Sequence, residues 1–233
     1  IKNKINTRLI SYEQFIKLNN KKIKDFNYLC NCSLKTQYNK SKYKKKNDID
    51  LKIVKKIKNL NIIYIFLSSR KVYSNKRNIK ENDKLAPKCN YSKNKILTEK
   101  KISKLIPNKL IILRISNVLG LKNYSPRKTH TSFIDNYIKY ISSKKKIYYK
   151  NEYKDFITIK QFIKIFYNII KHNLRGTYNV GLGKKIYISE ILKWINYKNL
   201  NKDKFFIKKN ANNDDSFTLN NKKLINSLKI KIN

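Results

Sequence analysis

The chain is poor in several residue types, and each shortage argues against a class of protein. Its 233 residues include no methionine, one tryptophan, three prolines, four glycines and three cysteines. An odd cysteine count, with no second Cys or His pair at zinc spacing, argues against a disulfide framework and against a metal site. Free thiols of this kind are typical of the reducing cytoplasm, where we expect the protein to be located.

Long apolar runs are also missing. No stretch reaches the roughly 18 apolar residues that a membrane-spanning helix needs, and the N-terminus carries no apolar signal region. We therefore expect no membrane partner. The lack of any methionine, including an initiator, raises the expectation that the chain is a fragment or a processed product.

Acidic residues are few, at 14 Asp and Glu against 56 Lys and Arg, so the formal charge is +42. Such a charge is one signature of nucleic-acid-binding proteins. Arginine, however, which forks onto phosphates and reads guanine edges, occurs at only six positions, and lysine is spread along the chain. The excess of Lys, Asn, Ile and Tyr is the pattern expected from an A+T-rich genome. We expect salt-sensitive phosphate affinity and no specific nucleic-acid partner, with a basic nucleic-acid-binding protein as the alternative.

Apolar patterning in the first half of the chain predicts alternating strands and helices. The runs 62–67 and 110–115 have the length and composition of parallel strands covered on both faces. A spacing of about 3.6 residues predicts a helix over 48–59, and a second helix is expected over 91–105. With a short strand within 26–33, this order is that of a doubly wound parallel sheet, an α/β fold.

The remaining segments give further secondary-structure expectations. These are a helix within 11–24, a helix over 132–141, strands over 146–150 and 155–159, a helix over 161–172, a strand over 176–183, and a helix whose N-cap is Ser189.

Tyr91 and Lys95 are the candidate chemical centre. Positions i and i+4 share one helix face, so both side chains are expected to point into the same space. A lysine ammonium favours the phenolate and would lower the pKa of Tyr91, which suits proton transfer near neutral pH. Ser69, at the end of a predicted strand, could hold the substrate oxygen. With 17 tyrosines in the chain, a tyrosine four residues before a lysine is expected by chance. The argument therefore depends on the position of Tyr91 and Lys95 between two predicted strands.

Ser33, Ser69 and Asn117 each come just after the end of a predicted strand. Ligands of open parallel sheets bind beyond the carboxyl ends of the strands. These three side chains are therefore expected on one rim of the sheet, the rim that should carry the chemistry.

Five motifs follow one another in a fixed order: Ser68–Tyr73, Tyr91–Lys95, Leu113–Gly120, Lys154–Ile159 and Gly176–Gly183. Together they resemble the extended short-chain dehydrogenase/reductases, also called NAD-dependent epimerase/dehydratases. The resemblance implies a Rossmann-like sheet with a smaller C-terminal α/β substrate-binding region. It places a dinucleotide-binding domain over 1–119, with 155–175 returning to it, and a substrate-binding region over 120–233.

The resemblance also implies ligands and residue roles. It implies NAD or NADP as cofactor and a nucleotide-linked sugar as substrate, and it leaves a homodimer open. It makes Tyr91 the acid/base, Lys95 the ligand of the nicotinamide ribose, and Ser69 the partner of the reacting oxygen. It places Asn31 and Ser33 along the cofactor, and Asn117 and Lys154 at the substrate.

Departures from the family pattern leave the reaction open. The glycine-rich phosphate loop is missing, since the first glycine is Gly120, so we expect either an N-terminally truncated enzyme or a non-catalytic remnant. The stretch 215–224 is similar to the C-terminal part of dTDP-4-dehydrorhamnose reductases, which favours reduction of a 4-keto group. Epimerisation is the alternative, and dehydration ranks last because cationic Arg70 and Lys71 follow Ser69.

Overall fold

The structure, a computed structural model, describes residues 5–120, 147–199, 206–208 and 215–229. Its helices are α1 Tyr12–Lys17, α2 Asn20–Ile23, α3 Thr36–Lys40, α4 Ile49–Ile57, α5 Asn90–Leu105, α6 Ile159–Lys171, α7 Ile188–Asn199 and α8 Lys222–Leu228. Its strands are β1 Tyr28–Cys30, β2 Ile63–Ser69, β3 Leu110–Ile115, β4 Asn117–Leu119, β5 Ile147–Tyr149, β6 Tyr153–Lys154, β7 Phe156–Thr158, β8 Gly176–Val180, β9 Ile186–Tyr187 and β10 Phe206–Lys208. Short 3-10 turns cover Lys45–Asn47, Arg70–Val72 and Pro107–Lys109.

A four-stranded sheet in the order β1-β2-β3-β8 forms the centre of the described chain. All of its neighbouring strands run parallel. The carboxyl ends of these strands therefore meet at one edge, as the sequence predicted. The strand β8 lies within the range expected to bind substrate, yet it pairs with β3; the proposed division into two domains stays a prediction.

Helices cover both faces of this sheet. Tyr64 and Phe66 of β2 pack with Val54 of α4 and Ile102 of α5 on one face. Ile65 of the same strand packs on the other face, in a cluster with residues of α6 and α8. Alternate residues of one strand thus enter two apolar layers, which explains why the strands are continuous apolar runs. The predicted Rossmann-like α/β fold is confirmed.

Capping side chains set several helix boundaries. The Asp48 carboxylate accepts the Leu51 N–H at 2.9 Å and starts α4. Asn19 accepts the Lys22 N–H at 2.9 Å, so the single helix predicted over 11–24 is divided into α1 and α2. Ser189 is not an N-cap, because α7 begins one residue earlier at Ile188. The helix predicted over 132–141 lies outside the described residues.

A buried carboxylate, Asp155, joins three segments that are far apart in sequence. Its oxygens accept backbone N–H groups from Leu182 at 2.9 Å, from Gly183 at 3.1 and 3.2 Å, and from Leu219 at 2.9 Å. A Cβ at Gly181 would lie 2.6 Å from the same carboxylate, which explains the glycine there. Burial raises the pKa of Asp155 to about 6, although these N–H donors oppose the shift.

In the part of the chain that the structure describes, every helix is too short or too polar to cross a membrane.

Replacing Asp155 should test this junction. In Asp155→Asn an amide N–H₂ faces the same N–H donors, so bonds are lost and donors stay buried without acceptors. The free energy of unfolding in urea should fall by about 2–3 kcal/mol. The control is Asp83→Asn. The Asp83 carboxylate makes a partly exposed ion pair with Lys76, so this change should lower the stability far less. Equal effects of the two changes would contradict the role of Asp155.

Candidate active site

The candidate residues lie where β2 ends and α5 begins. Ser69 is the last residue of β2, and Tyr91 and Lys95 lie in the first two turns of α5. Ser69 pairs in register with Ile115 of β3, so Asn117 follows on the same edge of the sheet. Ser69, Tyr91 and Lys95 therefore lie at the same end of the sheet.

Lys95 points to the end of β2 rather than to the tyrosine hydroxyl. Its buried Nζ donates to the Leu67 carbonyl oxygen at 2.7 Å. The same atom lies 4.4 Å from the centre of the Phe66 ring and 5.9 Å from the centre of the Tyr91 ring. Burial lowers the pKa of Lys95, and the nearby carboxylate of Asp50 opposes this shift. The ammonium is thus held in place by a backbone acceptor and an aromatic face.

The expected depression of the Tyr91 pKa is wrong for this structure. Burial raises the pKa of Tyr91, and this effect exceeds that of a hydrogen bond with Ser69, which lowers it. The charges of Cys89 and Asp50 raise it further. Tyr91 is consequently protonated at neutral pH and is suited to give a proton rather than to take one.

Asn31 and Ser33, predicted to line a cofactor, form a closed loop at the end of β1. The Asn31 amide oxygen accepts the Ser33 N–H at 2.9 Å and its hydroxyl at 2.7 Å. The Asn31 amide nitrogen donates to the Asp50 carboxylate at 3.1 Å. This turn chemistry fixes the loop at the same edge of the sheet as Ser69.

Asp50 is a residue that the sequence reasoning missed. It is buried on α4, accepts the Tyr64 hydroxyl at 2.6 Å, and interacts with the charge of Lys95. Burial raises its pKa, while Lys95 opposes that shift. The available signal was an acidic residue among apolar ones at an inward position of α4. Asp50 links the Asn31 loop to Lys95.

A second missed group anchors α5 to the sheet. Glu99 lies one turn beyond Lys95, and its carboxylate accepts a hydrogen bond from the Arg114 guanidinium of β3 at 2.7 Å. Both side chains are buried. Ser68 also donates its hydroxyl to Glu99, and Arg114 donates to the Tyr73 hydroxyl at 2.7 Å. The network ties the residue next to Ser69 to the helix that carries Tyr91.

Asn117 and Lys154, the predicted substrate residues, are connected through Asp155, the residue that follows Lys154. The Asn117 amide donates to the Asp155 carbonyl at 3.2 Å, and β4 pairs with β7. Lys154 makes ion pairs with Glu152 at 3.0 Å and Asp215 at 2.8 Å. Asp215 in turn pairs with Arg70, the residue after Ser69, at 3.2 Å. A chain of charged contacts thus connects Lys154 to the end of β2.

The arrangement of Tyr91, Ser69 and Lys95 is suited to proton transfer. The phenol of Tyr91 and the hydroxyl of Ser69 interact at the rim of a parallel sheet, and the buried Lys95 ammonium lies 5.9 Å from the centre of the Tyr91 ring. Such a pair can hold a carbonyl oxygen and supply a proton to it. Across the residues that the structure describes, no group of three or more His, Cys, Asp or Glu side chains could hold a metal ion.

The family model of the NAD dependent epimerase/dehydratase family matches residues 29–181. The match covers most of the chain and all three candidate residues at the end of β2 and the start of α5. The chain belongs to this family. No curated protein matches the sequence significantly.

Solved structures share the fold at low identity. A UDP-N-acetylglucosamine 4-epimerase from Methanobrevibacter ruminantium, in complex with UDP-N-acetylmuramic acid, is 22% identical with a TM-score of 0.75, over 94% of this chain and 76% of that one. A dTDP-glucose 4,6-dehydratase from Bacillus anthracis, in complex with NAD, is 18% identical with a TM-score of 0.72, over 91% and 69%. A UDP-glucuronic acid 4-epimerase from Bacillus cereus, in complex with NAD, is 16% identical with a TM-score of 0.73, over 94% and 73%.

The thiols that flank Asn31 offer a test of the loop geometry. A hydrogen bond from Cys30 lowers the pKa of Cys32 to about 7, against the opposing effects of burial and of Asp50. Alkylation of Cys32 by iodoacetamide, followed by peptide mass spectrometry, should therefore show a midpoint near pH 7. In Cys30→Ala this hydrogen bond is lost, and the midpoint should move up toward the ordinary thiol value.

Cys89 serves as an internal control, because its pKa depends on its own burial and on Ser92. Its alkylation midpoint should not change in Cys30→Ala. A Cys32 midpoint that also stays unchanged would show that the two thiols do not interact.

Proposed function

We propose that the protein is an NAD(P)-dependent oxidoreductase that reduces the 4-keto group of a nucleotide-linked sugar, with Tyr91 as the proton donor. The observation that supports this most is the placement of Tyr91, in the first turn of α5, beside Ser69 at the carboxyl end of β2. Family membership supports the same class of chemistry. The C-terminal resemblance favours reduction among the reactions of the family.

The residues at this edge fit the nicotinamide side of the cofactor. Tyr91 and Lys95 supply a hydroxyl and an ammonium for ribose hydroxyls, and the Asn31 loop ends β1 beside them. Two of the similar structures described above contain NAD. The bound nicotinamide would supply the hydride for the reduction. The sequence has no glycine before Gly120, so a glycine-rich cradle for the cofactor pyrophosphate is not part of it.

Each protein group then has a distinct task. Tyr91 gives its proton to the carbonyl oxygen as negative charge develops there. Ser69 donates a hydrogen bond to the same oxygen and stabilises that charge. Lys95, with its ammonium fixed on the Leu67 carbonyl, would bind a ribose hydroxyl on the nicotinamide side of the cofactor.

Asn117 and Lys154 are proposed to bind the nucleotide part of the substrate. Asn117 lies on β4, just after β3 ends, and its amide donates to the carbonyl of Asp155, the residue after Lys154. In the central sheet β3 is on the side of β2 away from β1 and the Asn31 loop. The amide can donate to a phosphate or sugar oxygen, and the ammonium can pair with a phosphate. Sugar and cofactor would therefore reach Tyr91 from opposite sides.

Tyr91→Phe tests the central assignment. Loss of the proton donor should lower kcat by about 10²–10⁴-fold, while the affinity for the sugar nucleotide changes little. The measurement is NADPH oxidation with a 4-keto-deoxysugar nucleotide, together with calorimetric binding of the nucleotide product. Tyr187→Phe, at an exposed position, is the matched control and should keep full activity. Retained activity in Tyr91→Phe would refute the role of Tyr91.

Epimerisation at C4 is the second candidate, favoured by the two 4-epimerases among the similar structures. The same Ser69, Tyr91 and Lys95 would serve both reactions. Cofactor stoichiometry separates them. We expect one NADPH consumed for each 4-keto sugar converted, since reduction leaves the hydride on the product. Interconversion of two sugar nucleotides without net NADPH consumption would show an epimerase instead.

A further inference from the structure

A carboxylate and two cations meet beside the end of β2. The Asp215 Oδ2 atom lies 3.2 Å from Arg70 Nη2 and 2.8 Å from Lys154 Nζ. Arg70 comes directly after Ser69, whereas Lys154 belongs to β6 and Asp215 to a segment near the C-terminus of the described chain. Three distant parts of the sequence therefore converge on one anionic oxygen.

The two cations are largely buried, whereas the anion is half exposed. The side chains of Arg70 and Lys154 are 8% and 13% exposed, whereas that of Asp215 is 48% exposed. Arg70 is further fixed by the Phe217 ring, 3.8 Å from its guanidinium carbon, and by Asn75 at 2.8 Å. The carboxylate thus covers two held cations from the solvent side, where an anion from solution could replace it.

Arg70 has donor capacity that the described residues do not use. Its Nε is buried and has no hydrogen-bond partner within that part of the structure. A buried donor without an acceptor is unfavourable, so its presence points to a partner that joins later or to a rearrangement of the guanidinium. Arginine is also the side chain best suited to bind phosphate through a fork of two N–H groups.

The charges of the group balance as it stands. Arg70 and Lys154 are positive, and Asp215 and Glu152 are negative, with Glu152 3.0 Å from Lys154. A phosphate that joined the intact group would make it negative. If Asp215 swings out, a phosphate oxygen can take its place on the same two cations without that excess.

From this geometry we infer that the Asp215 carboxylate is an internal stand-in for a phosphate group of the nucleotide substrate, which binds by displacing Asp215 from Arg70 and Lys154. The inference rests on the proposed function, because it takes a nucleotide diphosphate as the ligand. It adds Arg70 to the residues that would bind substrate. It also means that Asp215 competes with the substrate phosphate for Arg70 and Lys154. Burial works to raise the pKa of Asp215, but Lys154 and Arg70 outweigh it, so the competitor stays charged at neutral pH.

The test compares nucleotide binding by matched variants in isothermal titration calorimetry. Asp215→Asn removes the competing charge and should bind UDP and dTDP about fivefold more tightly, the order expected when a partly exposed ion pair no longer has to be broken. Asp83→Asn removes one negative charge from another lysine pair and should leave both affinities unchanged. Adding Arg70→Met to Asp215→Asn should abolish the gain. Uridine and thymidine, which lack phosphate, should bind all variants alike.

The remaining results distinguish a failure of this inference from a failure of the proposed function. Equal or weaker UDP and dTDP binding by Asp215→Asn, or an equal gain in Asp83→Asn, overturns the inference. If NADPH is still oxidised by the wild-type protein in that case, the proposed function survives. Absence of nucleotide binding and of NADPH oxidation in every variant overturns both. Asp215→Ser must repeat the result; if neither Asp215 variant folds, the carboxylate is a structural anchor and the inference is wrong.

Discussion

The ion pair between Glu99 of α5 and Arg114 of β3 is the contact on which the geometry of the site depends. Both side chains are buried, and their nearest atoms are 2.7 Å apart. Breaking such a pair leaves a buried charge without its partner, which costs about 3–5 kcal/mol. Because Glu99 lies one turn from Lys95 on the same helix face, the pair fixes the rotation of α5. That rotation puts the Lys95 ammonium on the Leu67 carbonyl and Tyr91 against Ser69.

The few acidic residues of this very basic chain mark positions where the structure requires a carboxylate. Only 14 Asp and Glu residues occur among 233. Asp48, Asp50, Glu99 and Asp155 are nevertheless buried, each at a position that caps a helix, fixes a loop or pairs with a cation. Unpaired charges are not tolerated at such positions, whereas surface positions accept lysine at little cost. Among the described residues the buried cations are Arg70, Lys95 and Arg114, so most of the positive charge of this part of the chain lies at the surface.

Local patterns predicted the frame of the site, and long-range contacts account for what they missed. The strands β2 and β3 are uninterrupted apolar runs, and Tyr91 and Lys95 are one helical turn apart, so each could be recognised within a few residues. Asp155 and Leu219 are 64 residues apart, and no local pattern joins them. The buried residues of α5 are mostly polar, whereas the apolar Leu97 is exposed, so an apolar pattern alone does not identify the inward face of this helix. The pKa of Tyr91 was predicted in the wrong direction because its burial depends on tertiary packing.

The most direct test of this account is a crystal structure of the protein with a nicotinamide cofactor and a nucleotide-linked sugar. The measured quantity is the distance from the Tyr91 hydroxyl to the oxygen on C4 of the sugar. We predict about 3 Å, within hydrogen-bond reach, with Ser69 bonded to the same oxygen. A sugar ring bound away from the carboxyl end of β2, with no oxygen near Tyr91, would contradict the assignment of this site.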